Sequence, residues 1–361
     1  MKFDTYRLSD LAEIKYGKNQ RKVVDDDGSV PIYGTGGLMG YANQALYDKP
    51  SVLIGRKGTI DRVKFVDHPF WTVDTLFYTK INDEIVIPKY LYYAMSLLDL
   101  MKYNEGTTIP SLRTETLNRL ELSIPSLAYQ EEILSILVPI EEKIKKNEEI
   151  NKNLQEQAQA IYQYMIVENA DDSWTPGVLS DIAIVTMGQS PKGDTYNEDG
   201  VGTVFFQGRA EFGFRFPTRR LYTTDPKRMA QANDALMSVR APVGDMNVAY
   251  EDCCIGRGLA AIRSKDGHQS FVLYTMFDLR EELNVFNGEG TVFGSINRDA
   301  LNSMPISIPP KVVLDEFEAI VAPMDAAIRN NYDEICRLEA IRDSLLPRLM
   351  SGELDISELE L

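Results

Sequence analysis

The sequence predicts an α+β chain made by duplication: two copies of one domain, separated by two long helices that pair as an antiparallel coiled coil, in a pseudo-twofold arrangement. Three observations predict it. The first is self-similarity. GTTIPSLRTETLNRLELSIP at 106–125 aligns without gaps to GTVFGSINRDALNSMPISIP at 290–309, with eight of twenty positions identical. The same offset of 184 places VLIGRKGTID (52–61) on LMSVRAPVGD (236–245), with Arg56 on Arg240 and Asp61 on Asp245. The second is a change of offset. LSDLAEIKYG (8–17) matches LSDIAIVTMG (179–188) at an offset of 171, so the second copy carries a 13-residue insertion between about 190 and 235.

The third observation is a heptad pattern after each SIP. Ile133, Leu137, Ile140, Ile144, Asn147, Asn151, Leu154, Ala158, Ile161 and Met165 step by alternating four and three. Phe317, Val321, Met324, Ile328, Asn331, Ile335, Leu338, Arg342, Leu345 and Leu349 do the same. Each stripe is too narrow to be buried alone, so pairing one with the other is the economical solution. Asn147 falls on Asn331 and is expected to share in setting register. Pro139 falls on Pro323, which predicts a kink or a helix restart.

The domains follow in order: a first α+β domain at 1–125, a helical arm at 126–170, a second α+β domain at 171–310, and an arm with a C-terminal tail at 311–361. Strands are expected at 51–54, 62–66, 71–79, 202–207, 235–239 and 258–263, from short β-branched and aromatic runs between turn residues. Helices are expected at 88–101 and 270–282 and after Ser111 and Ser295, read as helix caps. Trp174-Thr-Pro-Gly177 opens the second domain.

Composition narrows the function. The 361 residues suit two domains, and 44% hydrophobic content excludes wholesale disorder. No apolar run approaches 18 residues and the N-terminus lacks an apolar signal core, so a cytoplasmic chain with no membrane partner is expected. Cys253, Cys254 and Cys336 make no disulfide framework, and the vicinal pair reads as two small buried side chains. The net charge is −16, but most of the excess acid lies in 126–170 and 311–361, which leaves the domains room for basic faces.

Catalytic equipment is hard to find. His68 and His268 lie beside Pro69 and Gly267 and read as surface or turn residues. Gly55-Arg-Lys-Gly58 is too short for a phosphate loop, and Gly34-Thr-Gly-Gly37 lacks nucleotide-binding spacing. The pattern reads as a binding protein. A scaffold for protein interactions would account for the helices and the acidity, but not for two halves that differ by an insertion rich in Gln, Arg and Phe.

The chain resembles the DNA-specificity subunits of type I restriction-modification enzymes. The resemblance rests on Gly188-Gln-Ser-Pro191, Arg240-Ala-Pro-Val-Gly244, Ile255-Gly-Arg-Gly-Leu259, the SIP-to-helix junctions at 125–133 and 309–317, and the ending Leu345-Leu-Pro-Arg-Leu-Met-Ser-Gly-Glu-Leu354. It covers nearly the whole chain. The first half departs from it, reading Gly17-Lys-Asn-Gln20 and Arg56-Lys-Gly-Thr-Ile60. The resemblance implies two target-recognition domains, each reading half of an interrupted site in double-stranded DNA. It also implies two methylation subunits and restriction subunits as partners, with no catalysis in this chain. No cofactor is expected here; S-adenosylmethionine, ATP and magnesium belong to the partners.

Direct readout needs forked donors and amides at loop tips, because Arg pairs with guanine and Asn or Gln with adenine in two-point contacts. The candidates in the first domain are Lys18, Asn19, Gln20, Arg21, Arg56, Lys57 and Thr59. Those in the second are Gln189, Ser190, Lys192, Gln207, Arg209, Arg219, Arg220 and Arg240. The Gly-Thr loops at 106–108 and 290–292 read first as turns before helices and second as phosphate contacts.

Overall fold

A computed structural model describes residues 2–171, 174–288 and 294–356. The chain divides into one unit of residues 1–146 with 334–361 and another of residues 147–333.

The first unit runs β1 (Phe3–Arg7), α1 (Leu8–Leu11), β2 (Ala12–Tyr16), β3 (Val30–Gly34), β4 (Gly37–Ala42), β5 (Ser51–Gly55), β6 (Val63–Val66), β7 (Trp71–Thr72), β8 (Leu76–Ile81), α2 (Pro88–Ser96), α3 (Thr114–Asn118) and β9 (Glu121–Pro125), then enters α4 (Leu127–Tyr162). Strand β5 is buried along its whole length and sits inside an antiparallel sheet of order β2-β8-β5-β6. A second sheet, β4-β3-β7, joins β3 to β7 in parallel. Strand β1 pairs antiparallel with β9, Phe3 opposite Pro125 through Arg7 opposite Glu121. In α1 the Arg7 backbone N–H donates to Asp10 Oδ2 at 3.0 Å, a local cap that explains the LSD motif.

The second unit continues with β10 (Thr175–Val178), α5 (Leu179–Ile182), β11 (Ala183–Met187), β12 (Tyr196–Asn197), β13 (Thr203–Phe206), β14 (Leu221–Thr223), β15 (Met229–Ala230), β16 (Ala235–Ser238), β17 (Met246–Val248), β18 (Cys253–Ile255), β19 (Leu259–Ser264), α6 (Gln269–Asp278), α7 (Arg280–Leu283), α8 (Arg298–Asn302), β20 (Pro305–Ile308) and α9 (Lys311–Ser351). Its main sheet has the order β11-β19-β16-β17 and its closing pair is β10 with β20. Those match the first unit strand for strand. The other sheet, β12-β14-β13-β18-β15, keeps the parallel pair, β13 with β18, and adds β12 and β15 at its edges. The Val178 N–H donates to Asp181 Oδ2 at 2.8 Å, repeating the LSD cap.

The seam residues of α4 and α9 pack inward within each unit. In the first, Ile133 and Leu137 share a core with Leu349, Met350, Phe77 and Tyr90. Gln130, fully buried at the start of α4, accepts from Ile87 N–H (2.8 Å) and donates to the carbonyls of Ile85 (3.0 Å) and Pro125 (2.9 Å), tying the helix to the sheet domain. In the second unit, Ala158 and Tyr162 pack with Phe317, Val321 and Ile328, so α4 and α9 run antiparallel there.

Several expectations need correction. Pro139 lies inside an uninterrupted α4, and α9 is likewise continuous across Pro323, so no restart occurs. Asn331 Nδ2 donates to Asn151 Oδ1 at 2.8 Å, which adds Asn151 to the expected register residues; Asn147 is itself buried. Ser111 and Ser295 cap nothing; they bridge to Lys57 and Arg240, and the residues before α3 and α8 are Arg113 and Asn297. The expected strand at 71–79 is two strands, β7 and β8, divided by a turn at 73–75. The insertion lies between β13 and β14.

His268 is also corrected: it is buried, with ring nitrogens 2.9 Å from carboxylate oxygens of Asp266 and Asp315. His68 is half-exposed, as expected for a surface histidine, beside Asp67 and the Tyr33 hydroxyl. Cys253 and Cys254 are fully buried, and burial pushes the Cys253 thiol up to about 12. Among the described residues, no helix is long and apolar enough to cross a membrane, and no group of three or more His, Cys, Asp or Glu side chains is arranged to hold a metal.

Two tests follow from this packing. Asn331→Leu leaves the buried Asn151 amide without its donor and should cost about 1–3 kcal/mol in denaturant unfolding, whereas the double change Asn151→Leu/Asn331→Leu should be near neutral. Burial alone lowers the His268 pKa, but Asp315 and Asp266 outweigh it and the net shift is upward. Stabilisation from a raised pKa is complete below the unfolded value, about 6.5, and is lost as pH rises through the folded one. The Tm advantage of wild type over H268Q should therefore be greatest below about pH 6.5 and shrink above it; a constant difference would contradict the assignment.

Candidate nucleic-acid interface

In the second unit, three loops are laced by backbone hydrogen bonds. Gly256 N–H donates to Phe206 C=O (2.8 Å), Gly258 N–H to Gln207 C=O (3.1 Å), and Val239 N–H to Gly258 C=O (2.9 Å). Glycine is required for this approach. A Cβ at Gly256 would lie 2.8 Å from Gln207 Cα, and one at Gly258 would lie 2.7 Å from Gln207 O. The loop holding Gln189 and Ser190 joins the cluster, since Gln189 N–H donates to Ile255 C=O (3.0 Å) and Arg257 N–H to Ser190 Oγ (3.2 Å).

The loops enclose an open concavity of about 420 Å³ lined by Gln207, Arg209, Glu211, Arg220, Arg240 and Arg257 among others. Its electrostatics are structured. Arg209 pairs with Asp245, whose other oxygen lies 3.1 Å from Arg280. Arg220 pairs with the buried Glu211 at 2.6 Å and with Glu198 at 3.3 Å. The Glu211 carboxylate raises the Arg220 pKa further, so this guanidinium stays charged at any working pH. Among the described residues, the Arg240 and Arg257 guanidiniums carry no ion pair. Such an arrangement presents fixed forked donors to acceptor-rich edges or phosphates.

Four candidates do not line the concavity: Gln189 and Ser190, whose loop is bonded to its rim, and Arg219 and Lys192. Arg219 pairs with Glu251 at 2.5 Å and lies over the Tyr250 ring. Lys192 lies on a turn, its carbonyl accepting from Thr195 N–H. Arg257 belongs to the site and was absent from the sequence candidates. Its signal was the Gly-Arg-Gly pattern, where the flanking glycines press the backbone inward while the arginine lines the cavity.

In the first unit, the turn at 72–75 links the corresponding loops. Lys18 N–H donates to Thr72 C=O (2.8 Å), the Lys18 carbonyl accepts from Trp71 Nε1 (2.9 Å), and Arg56 N–H donates to Thr75 C=O (2.8 Å). Arg56 is held in place, its Nη1 donating to Asp74 O at 2.8 Å with the guanidinium over the Tyr16 ring. Asn19 turns its side-chain oxygen to the Arg21 N–H (2.9 Å), and the Gln20 carbonyl accepts from Val23 and Val24. Arg21, Lys57 and Thr59 are exposed. The loop at 106–108 is a turn organised by Asn104, whose Oδ1 accepts from Gly106 N–H (2.8 Å) and Ser111 N–H (2.9 Å); the loop at 290–292 lies outside the described residues.

Comparison with known proteins agrees with this architecture. The sequence profile of the type I restriction modification DNA specificity domain matches residues 1–156. A Methanocaldococcus jannaschii protein described as the type I restriction enzyme MjaX specificity subunit is 30% identical over 301 residues, covering 76% of this chain and 70% of that one. The type I restriction enzyme MjaIX specificity subunit of the same organism is 24% identical over 349 residues, covering 87% and 80%. A solved type I restriction-modification S subunit from M. genitalium shares the fold, with a TM-score of 0.64 over 97% of this chain and 96% of that one at 15% identity. The chain belongs to the family of type I restriction-modification specificity subunits.

Proposed function

We propose that this chain reads an interrupted target in double-stranded DNA, one half-site per unit, and directs partner subunits that carry the chemistry. The observation that carries this reading is that one strand frame occurs in both units while the loop side chains on it differ. A duplicated frame with different tips suits two different half-sites, and α4 and α9 would set the unread spacer between them. Two methylation subunits, one for each copy of the frame, and restriction subunits are the partners expected, with S-adenosylmethionine, ATP and magnesium bound by them. The place of action is the cytoplasm, where the DNA is.

The net charge of −16 opposes tight binding to a polyanion by this chain alone. Methylation partners would then supply much of the phosphate neutralisation. The slope of log affinity against log salt should be distinctly shallower for the isolated chain than for the chain with its methylation subunits. Equal slopes would refute that division.

Arg240, with no ion pair to break, is the cleanest probe of readout. Arg240→Ala should cost about 1–3 kcal/mol in binding by the complex and relax sequence preference in one half-site only. Uniform weakening across all sequences would mark a phosphate contact instead. Reproducible methyl transfer by the purified chain would overturn the whole reading.

A further inference from the structure

The hairpin that opens the second sheet of each unit is where the two units differ most. In the second unit β13 and β14 are joined by residues 207–220, which carry Arg209, Arg219 and Arg220. In the first, β3 and β4 are joined by Thr35 and Gly36 alone. Gly37, at φ +114°, follows the two-residue turn, and Gly40, at φ +146°, follows a register shift that leaves Met39 without a cross-strand partner; side chains rarely tolerate either backbone. Between them stand Leu38 and Met39, 54% and 59% exposed on the edge strand of the sheet. Exposed apolar side chains on a sheet edge invite unwanted pairing, which makes an uncompensated pair of them costly to keep.

The tip adjoins the candidate reading loops of its own unit. A Cβ at Gly58 would lie 3.7 Å from the Thr35 hydroxyl, which places the turn beside Lys57 and Thr59. Met39 folds back so that a Cβ at Gly34 would strike its sulfur. Lys57, next to Gly58, is an exposed cation beside the tip, and Lys18 and Arg21 are exposed cations of the same unit. An apolar tip beside a cation, on a unit with further exposed cations, suits a polyanion with an apolar feature in its groove better than it suits an apolar protein surface.

We infer that Leu38 and Met39 are specificity-determining residues that read the C5 methyl groups of thymines in the half-site taken by the first unit. The inference rests on the DNA-reading function proposed above. Neither side chain donates a hydrogen bond, and the thymine methyl is the apolar group a base pair offers in the major groove. The second unit, with guanidiniums at the corresponding hairpin, reads acceptor edges instead. The two half-sites therefore differ in the chemistry by which they are recognised.

The test uses the full chain in complex with its methylation subunits. Arg240→Ala first identifies the half-site of the second unit; the other belongs to the first. Duplexes are then made in which each thymine in turn is replaced by deoxyuridine, which removes only the methyl group. At one or two positions of the first unit's half-site, deoxyuridine should weaken binding about fourfold, the equivalent of one buried methyl group. Leu38→Gln/Met39→Gln, whose positions are exposed, should bind the thymine and deoxyuridine duplexes equally well. Tolerance of deoxyuridine throughout that half-site, a half-site without thymine, or a variant that keeps the discrimination would each overturn the inference while leaving DNA reading intact. A wild-type complex with no preference for its target over scrambled DNA would instead overturn the underlying function.

Discussion

Each domain depends on a short ribbon that closes it. Strand β1 pairs with β9 over five residue pairs, and β10 pairs with β20 over four. The chain thus leaves each domain beside the point where it entered, and two or three residues later begins a long helix. Everything between the two strands of the ribbon is a closed excursion. Lengthening one loop within it adds little closure entropy and does not move the exit. This is why 207–220 can replace a two-residue turn while the main sheet keeps its order.

The same constraint explains what was legible in the sequence. The ribbon and helix junction repeat at a constant offset because their geometry is shared, so 106–125 and 290–309 align without gaps. The seams were visible because apolar spacing follows helix geometry. The Asn151 to Asn331 bond was not, since helix stagger depends on packing at both ends and not on the spacing within one seam. Ser111 looked like a cap because serine often is one, but here its backbone is committed to a bridge with Lys57. His268 is a turn residue as its neighbours suggest, but its burial was not legible because its partner, Asp315, is 47 residues away in sequence. Within the second unit's site, the concavity gathered Gln207, Arg209, Arg220 and Arg240, left Gln189, Ser190, Arg219 and Lys192 out of its lining, and added Arg257, for which loop contacts and not composition were decisive.

Acidic side chains near the concavity are part of its construction. Asp245 and Glu211 hold Arg209 and Arg220 in fixed directions before any ligand arrives, which lowers the ordering cost of a forked contact. Arg240 and Arg257 are left to meet a ligand without first breaking a pair. An acidic chain can therefore carry a local group of four guanidiniums, which its overall charge does not describe.

On the proposed function, each excursion on the shared frame reads one half-site by itself. Replacing residues 174–309 by residues 3–125 places the first domain and its ribbon at both positions and leaves α4 and α9 unchanged. The methylated sequences in cells carrying this chimera with its partner subunits should contain the first domain's half-site twice and lose the second's. A folded chimera that still directs methylation to the original asymmetric target would contradict the account.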